Sequence, residues 1–289
     1  MQFLVYCFFL GVVNTVRFIP FAVLYAVSDA LRWLMYNVIG YRKKVVFDNI
    51  KKAFPNFSAV EIEDTAKKFY THLCDISLES LKGFTMSREA FAVRMKFIDP
   101  NHIAKNYFAQ GQNIIGLTSH YGNWEWGAQC ASFVVPFSVN ILYKPLSNKY
   151  IDAYFRKKRG KGGSQFTSIR DTAQLFARPT TTPTMYLMAA DQSPSNINKA
   201  IWANLLNIDT ACLHGPEYYS IKHKLPLVYC HVKKVKRGYY EIIASDLNIN
   251  HQTTTHGQAT QAYMSHLSQI LQEKPEYWLW SHKRWKHKR

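Results

Sequence analysis

The stretch "NIIGLTSHYGNWEWGAQ", Asn113 to Gln129, decides the fold class. Its first part, Ile114–Ser119, is a short apolar run of the length expected for a buried strand. Asn123 can cap a helix that continues through Val135. Between the two stand His120 and Gly122, and glycine permits a tight turn. A buried strand that turns sharply into a helix is the repeating unit of an α/β sandwich. In such sheets functional groups gather at the carboxyl ends of strands.

Strand-like and helix-like pieces alternate on both sides of this stretch. Ser58 with Glu61 fits a capping box, and apolar residues at 62, 66, 69, 73, 76 and 78 give helical spacing up to Gly83. Downstream, Val139–Tyr143 reads as a strand and Asn148–Arg159 as a basic helix. Thr184–Ala190 reads as a strand that ends at Asp191. Gly215–Lys222 reads as a helix, and Pro226–Lys233 with Tyr239–Ala244 as a strand pair turning at Arg237-Gly238. Thr255–Gln272 is a long helix. This order predicts an α/β fold with a mixed, largely parallel sheet flanked by helices.

The chain has 289 residues, 47% of them hydrophobic and 15% aromatic, enough for a large core. Its net charge of +17 calls for an acidic partner, such as anionic lipid, an acidic protein or nucleic acid. No zinc-finger or RNP signature is present, which argues against nucleic acid. Five cysteines without a C-x-x-C suggest reduced, buried thiols rather than a disulfide framework or a zinc site.

From Met1 to Ile39 the charged side chains are Arg17, Asp29 and Arg32. No basic segment precedes the first apolar run, so a cleaved signal peptide is a poor match. Phe3–Val27 is long enough to cross a bilayer, or it can form a helix–Pro20–helix wedge in one leaflet. A buried core helix is the plainer alternative. Arg42, Lys43 and Lys44 follow, a cluster suited to a cytoplasmic interface. The expected division is a membrane-anchoring helical segment over 1–39 and a catalytic domain over 40–289.

A histidine with a near-neutral pKa can take a proton from a hydroxyl, and an acceptor on its other ring nitrogen fixes its tautomer. Glu125, five residues on across the turn, is the candidate acceptor. The spacing equally allows a histidine that ends a strand beside a surface glutamate. No G-x-S-x-G and no H-E-x-x-H occur, which counts against a serine hydrolase and a zincin. Ser119 neighbours His120 on the strand, so its side chain is expected to point away.

"SHYGNWEW" resembles the H-x4-D/E motif of the bacterial lipid A late acyltransferases. Five further stretches resemble blocks of that family in the same order: "FDNIKKAFPNFSAVEIEDTAKKFY", "LYKPLSNKYIDAYFRKKRGKGG", "MAADQSP", "TACLHGPEYYSIKHKLPLVYCHV" and "EYWLWSHKRWK". Two places depart from the pattern. "ANLLNID" stands where the family has an aromatic "F-F-G", and Lys144 stands at the basic position of "Y-R-P".

The resemblance implies transfer of a fatty acyl group from a thioester donor, acyl carrier protein or acyl-CoA, to a hydroxyl of a lipid A precursor. The expected place is the cytoplasmic face of a bacterial inner membrane. His120 would be the general base and Glu125 its orienting partner. Arg159 would stabilise an oxyanion or bind a phosphate. Asp191 would hold Arg159 or order its loop. Lys144, Gly160 and Arg284 are candidate phosphate or headgroup contacts. No metal and no bound cofactor are implied. Two rival readings remain: a lysophospholipid or aminolipid acyltransferase, and a basic membrane-binding protein without catalysis.

Overall fold

The computed structural model describes residues 1–289 except the side chain of Lys161. The chain runs α1 (Gln2–Phe18), α2 (Phe21–Trp33), α3 (Lys43–Ala53), α4 (Ala59–Gly83), α5 (Arg88–Arg94), β1 (Met95–Ile98), α6 (Ile103–Ala109) and β2 (Ile114–Thr118). It continues through α7 (Trp124–Val134), β3 (Ser138–Tyr143), α8 (Lys149–Arg159), β4 (Gln165–Ser168), α9 (Thr172–Ala177) and β5 (Thr184–Ala189). Then come β6 (Ile201–Leu205), β7 (Ile208–Cys212), α10 (Gly215–His223), β8 (Leu227–Lys236), β9 (Tyr239–Asp246) and α11 (Gln258–Glu273).

Among the described residues, seven strands form one sheet in the order β1-β9-β8-β2-β5-β3-β4. Every neighbouring pair is parallel except β8 with β9, the hairpin that turns at Arg237-Gly238. The mixed, largely parallel sheet expected from the sequence is therefore the observed one. Short strands β1 and β4 extend its two edges, and β6 with β7 forms a separate hairpin.

The central strands bury alternate residues on opposite faces. On β2, Ile115 and Leu117 join one core cluster and Ile114 the other. On β8, Leu227 and Tyr229 face the first, while Val228, Cys230 and Val232 face the second. The first face is covered by α3, α4, α9 and α11, through residues such as Ile50, Phe69, Phe176 and Met264. The second is covered by α5, α6 and α7, through Phe91, Ala104, Trp126 and Cys130. A strand covered on both faces reads as a continuous apolar run, as Ile114–Thr118 does.

α4 begins at a capping box, with Ser58 and Glu61 bonded reciprocally. It ends at Gly83, where a Cβ would lie 2.3 Å from Gln129 Oε1. That close approach to α7 explains a glycine at the end of a helix that packs against another. Cys74, Cys130, Cys212 and Cys230 are buried, whereas Cys7 is exposed on α1.

The N-terminal segment breaks at Pro20 into α1 and α2, the helix–Pro20–helix shape that was one of the three expected, and a further helical stretch follows over Leu34–Ile39. Ile19 is extended and Pro20 cannot donate a helical N–H. No helix among the described residues is long and apolar enough to cross a membrane. The freed carbonyls at the end of α1 are taken up by Lys82, whose Nζ donates to Val16 O at 3.2 Å, Arg17 O at 3.2 Å and Ile19 O at 2.6 Å. α2 is fastened to α4 by Ser28 Oγ donating to Asp75 at 2.7 Å and Tyr25 Oη donating to Glu79 at 2.8 Å. Phe3, Leu4, Phe8 and Phe18 of α1 remain exposed, Phe8 by 75%. Such a run of large apolar side chains on one helix is unusual for a free surface.

Candidate active site

β2 and β5 are adjacent and parallel, with Thr118 opposite Ala189. Two residues beyond each strand end lie His120 and Asp191, so the register itself brings them together. Asp191 Oδ1 accepts from His120 Nδ1 at 2.7 Å, and Oδ2 accepts the backbone N–H of His120 at 3.0 Å. The indole N–H of Trp278 donates to the same Oδ2 at 2.8 Å.

Asp191 is 2% exposed. Burial alone would push its carboxyl up, but the His120 charge and the three hydrogen bonds outweigh it and hold the carboxyl below its ordinary range. Burial likewise favours neutral His120. The charge and hydrogen bond of Asp191, with the charge of Glu125, overcome that and raise the imidazole above its ordinary value. With Nδ1–H directed at Asp191, the lone pair of the neutral ring lies on Nε2. His120 keeps 20% of its side chain exposed and lines a cavity between α7 and the sheet.

Glu125 does not orient His120 as the sequence reading expected. Its carboxylate is paired with Arg159 at the end of α8. Asp191, expected to hold Arg159 or order a loop, is the partner of His120 instead. The physical reason is direction. Glu125 lies in the first turn of α7, past the tight turn, whereas Asp191 emerges from the neighbouring parallel strand at the level of the ring. Glu125 therefore reaches His120 as a charge and not as a hydrogen-bond acceptor.

The turn between them is narrow. Gly122 has φ +59°, and a Cβ there would lie 2.1 Å from Val232 O. Asn123 caps α7 by accepting from Trp126 N at 2.9 Å, and its amide donates to the buried carboxylate of Glu79 at 2.6 Å. Ser119 points to the other face, where its hydroxyl lies 3.0 Å from Tyr229 Oη. It is not a nucleophile of this site.

A cavity of about 480 Å³ opens from His120 between α7 and the sheet. That volume falls in the usual range of about 300–1,000 Å³ for small-molecule sites. Its polar end carries His120, Glu125, Arg159 and Gln192. Its remaining wall is largely apolar, with Ile141, Met185, Leu187, Val232 and Ile242 from the sheet. Space for it arises because α7 presents Gly127, Ala128 and Ala131 on the facing side. Arg159 lines this wall, and its Nε is buried there without a hydrogen-bond partner.

The other expected contacts divide. Lys144, just past β3, is exposed and lines the cavity rim. Gly160 is not an anion site: its N–H is committed to Arg156 O and its carbonyl accepts from Gly163 N at 3.0 Å. Arg284 is not a headgroup contact. It is 2% exposed and donates to Ala211 O at 2.6 Å and towards Cys212 Sγ at 3.4 Å.

Sequence reasoning missed Trp278 and Gln192. Both lay inside quoted family blocks, and the pairing of Asp191 with an indole was the missing signal. The C-terminal segment clamps the site: Leu279 N donates to His120 O at 3.0 Å, and Gly122 N to Tyr277 O at 3.0 Å. Asn49 of α3 in turn donates to Trp280 O and His282 O, each at 2.8 Å.

The model of a family described as bacterial lipid A biosynthesis acyltransferase matches residues 1–287. No individual curated protein matches the chain.

Proposed function

Because the chain belongs to the bacterial lipid A biosynthesis acyltransferase family, we propose that it moves a fatty acyl chain from a thioester donor to a hydroxyl of a lipid A precursor, with His120 as general base. The observation that carries this reading is the ring of His120: Nδ1 is fixed by Asp191, while Nε2 lies beside Gln192 at the polar end of a cavity whose remaining wall is largely apolar. A base that opens onto an apolar cavity suits an acyl thioester better than a water-soluble substrate.

In this reading the acceptor O–H bond breaks and its proton goes to His120 Nε2. The oxygen bonds to the thioester carbonyl carbon, and the carbonyl oxygen becomes an oxyanion. Arg159, the guanidinium that lines the cavity beside Glu125, stabilises that charge. The C–S bond then breaks, and the leaving thiolate takes the proton back from the imidazolium. Asp191 stabilises the imidazolium in between, as the carboxylate of a catalytic triad does. Glu125 holds Arg159 in the wall. The apolar part of the cavity receives the acyl chain.

The donor is acyl carrier protein in this reading, since an acidic carrier complements a charge of +17. The exposed apolar residues of α1 set the body on the cytoplasmic face of the inner membrane, with residues 1–39 as anchor. The test is mass spectrometry of lipid A from cells that lack the protein, complemented with the wild type or with His120→Ala. Wild type should restore lipid A that is heavier by one acyl chain, and His120→Ala should not. Restoration by His120→Ala at equal protein level would remove His120 as the base. A mass gain on another lipid class would redirect the acceptor.

A further inference from the structure

We propose that the side chain of Gln192 guards the reactive nitrogen of His120, occupying the place of the acceptor hydroxyl until that hydroxyl displaces it. The inference rests on His120 being the general base. Gln192 Nε2 lies 3.2 Å from His120 Nε2. Asp191 accepts at Nδ1, so the ring proton sits there and Nε2 presents a lone pair. Of the two ends of the Gln192 amide, the NH₂ is the one that can pair with a lone pair. The nitrogen that must accept the substrate proton is thus already hydrogen-bonded in the resting protein.

The amide sits at the cavity's polar end and is half-buried, on the residue next to Asp191. Ser193 follows on the same cavity wall, with a buried hydroxyl that has no partner among the described residues. A water molecule approaching a bound thioester must break the Gln192–His120 bond to reach Nε2. A lipid hydroxyl displaces the amide when the rest of its molecule binds, so that binding energy offsets the broken bond before the chemical step, whereas water brings no such binding energy. The guard therefore favours transfer over hydrolysis of the donor.

The groups that face His120 are few. Asp191 comes from the end of β5, Glu125 from α7 with Arg159 of α8 behind it, and His282 from the C-terminal segment. Burial, with nearby cations, pushes His282 down to about 4, so it stays neutral across the working range. The acid limb of the rate profile therefore reports the His120 system. An N–H donated to Nε2 favours the neutral ring, so its removal should move that limb to higher pH.

The experiment uses the full chain as wild type, Gln192→Met, Gln192→Glu and His120→Ala. The donor is lauroyl-coenzyme A, and the acceptor is lipid A extracted from cells that lack the protein. Thiol release without acceptor measures hydrolysis, and acyl gain by the lipid measures transfer. Gln192→Met should raise the ratio of hydrolysis to transfer about two- to tenfold, the worth of one net hydrogen bond. Its acid limb in kcat/KM should rise by about half to one pH unit. Gln192→Glu should raise the limb further, because a carboxylate accepts from protonated Nε2. If Gln192→Met does not fold, Gln192→Asn, which withdraws the amide by one methylene, should give the same direction. An unchanged ratio together with an unchanged limb would overturn the guard, even if overall activity fell. A His120→Ala protein that still transfers would instead overturn the general-base reading beneath it.

Discussion

The indole nitrogen of Trp278 and the backbone nitrogen of His120 donate to one and the same oxygen of Asp191, at 2.8 and 3.0 Å. The other oxygen is left for the imidazole. A buried carboxylate loses several kcal/mol of hydration, and close charged and hydrogen-bonded partners offset that loss. Here three hydrogen bonds from two separate parts of the chain, His120 and Trp278, hold both oxygens, so the carboxylate has a single orientation.

Asp191→Asn should therefore lower kcat by roughly 10³–10⁴ with little change in fold, as loss of a triad carboxylate does. The sign of the pH effect follows from the shifts. Asp191 raises the His120 pKa, so its loss should move the acid limb to lower pH while the plateau falls. Stability should change in a different window. The Asp191 carboxyl is held below its ordinary value, so its stabilising contribution is present above about pH 4 and is lost as pH falls through the depressed pKa. Thermal melts at pH 7 should therefore show the Asn variant less stable, and the gap should close as the pH drops below about 4. A plateau rate near wild type would refute the assignment.

Glu125 and Arg159 should behave as one unit. Glu125→Ala, Arg159→Ala and the double variant should show similar losses of kcat/KM, because either single change removes the pair. Arg159→Lys should restore part of the activity, since lysine keeps charge but lacks the planar fork. Additive losses in the double variant would mean that the two side chains act separately.

Ala128→Leu narrows the cavity from the α7 side. The preferred donor should become shorter, and each methylene that no longer fits should cost about fourfold in kcat/KM, from ~0.8 kcal/mol per buried CH₂. Rates measured over a series of acyl-coenzyme A chain lengths check this. An unchanged length profile would place the acyl chain elsewhere.

Arg284→Met should act on stability rather than on lipid contact. It removes the donors to Ala211 O and Cys212 Sγ in the interior, and a loss of about 2–4 kcal/mol is expected. Lys283→Ala, its exposed neighbour, should stay within ~0.5 kcal/mol. Denaturant unfolding separates the two, while salt-dependent liposome binding should be unaffected by Arg284→Met.

Phe3→Ser with Phe8→Ser should weaken flotation with anionic vesicles, since both rings are exposed on α1. The residual binding should be sensitive to salt, because exposed charges are screened within about 8–10 Å. Unchanged flotation at high salt would take α1 out of membrane contact.

The layered α/β class was legible because Ile114–Ser119 and Thr184–Ala190 are short, mostly apolar runs that end at His120 and Asp191, and because the capping signals at Ser58 and Asn123 are local. His120 was legible for the same reason. Its true partner was not. Glu125 is near in sequence, but Asp191 is near in register, and register between parallel strands is set by a crossover that leaves no local mark. The short strands β1, β4, β6 and β7 were also missed, since four or five residues of mixed character give neither an apolar run like that of β2 nor a sustained alternation. Arg284 looked like a basic tail because its neighbours are Lys283 and Lys286. Only packing against β7 reveals it as interior.

The clamp on Asp191 also has a history in time. Asp191 follows His120 by 71 residues, and Trp278 follows Asp191 by another 87. At about 5–20 residues per second, a ribosome needs roughly 4–17 s to go from the carboxylate to the indole. Through that interval residues of α1 and α2 are already synthesised, but Asp191 lacks the indole that orients it. The exposed apolar side chains of α1 are thus synthesised well before the residue that completes the clamp on Asp191.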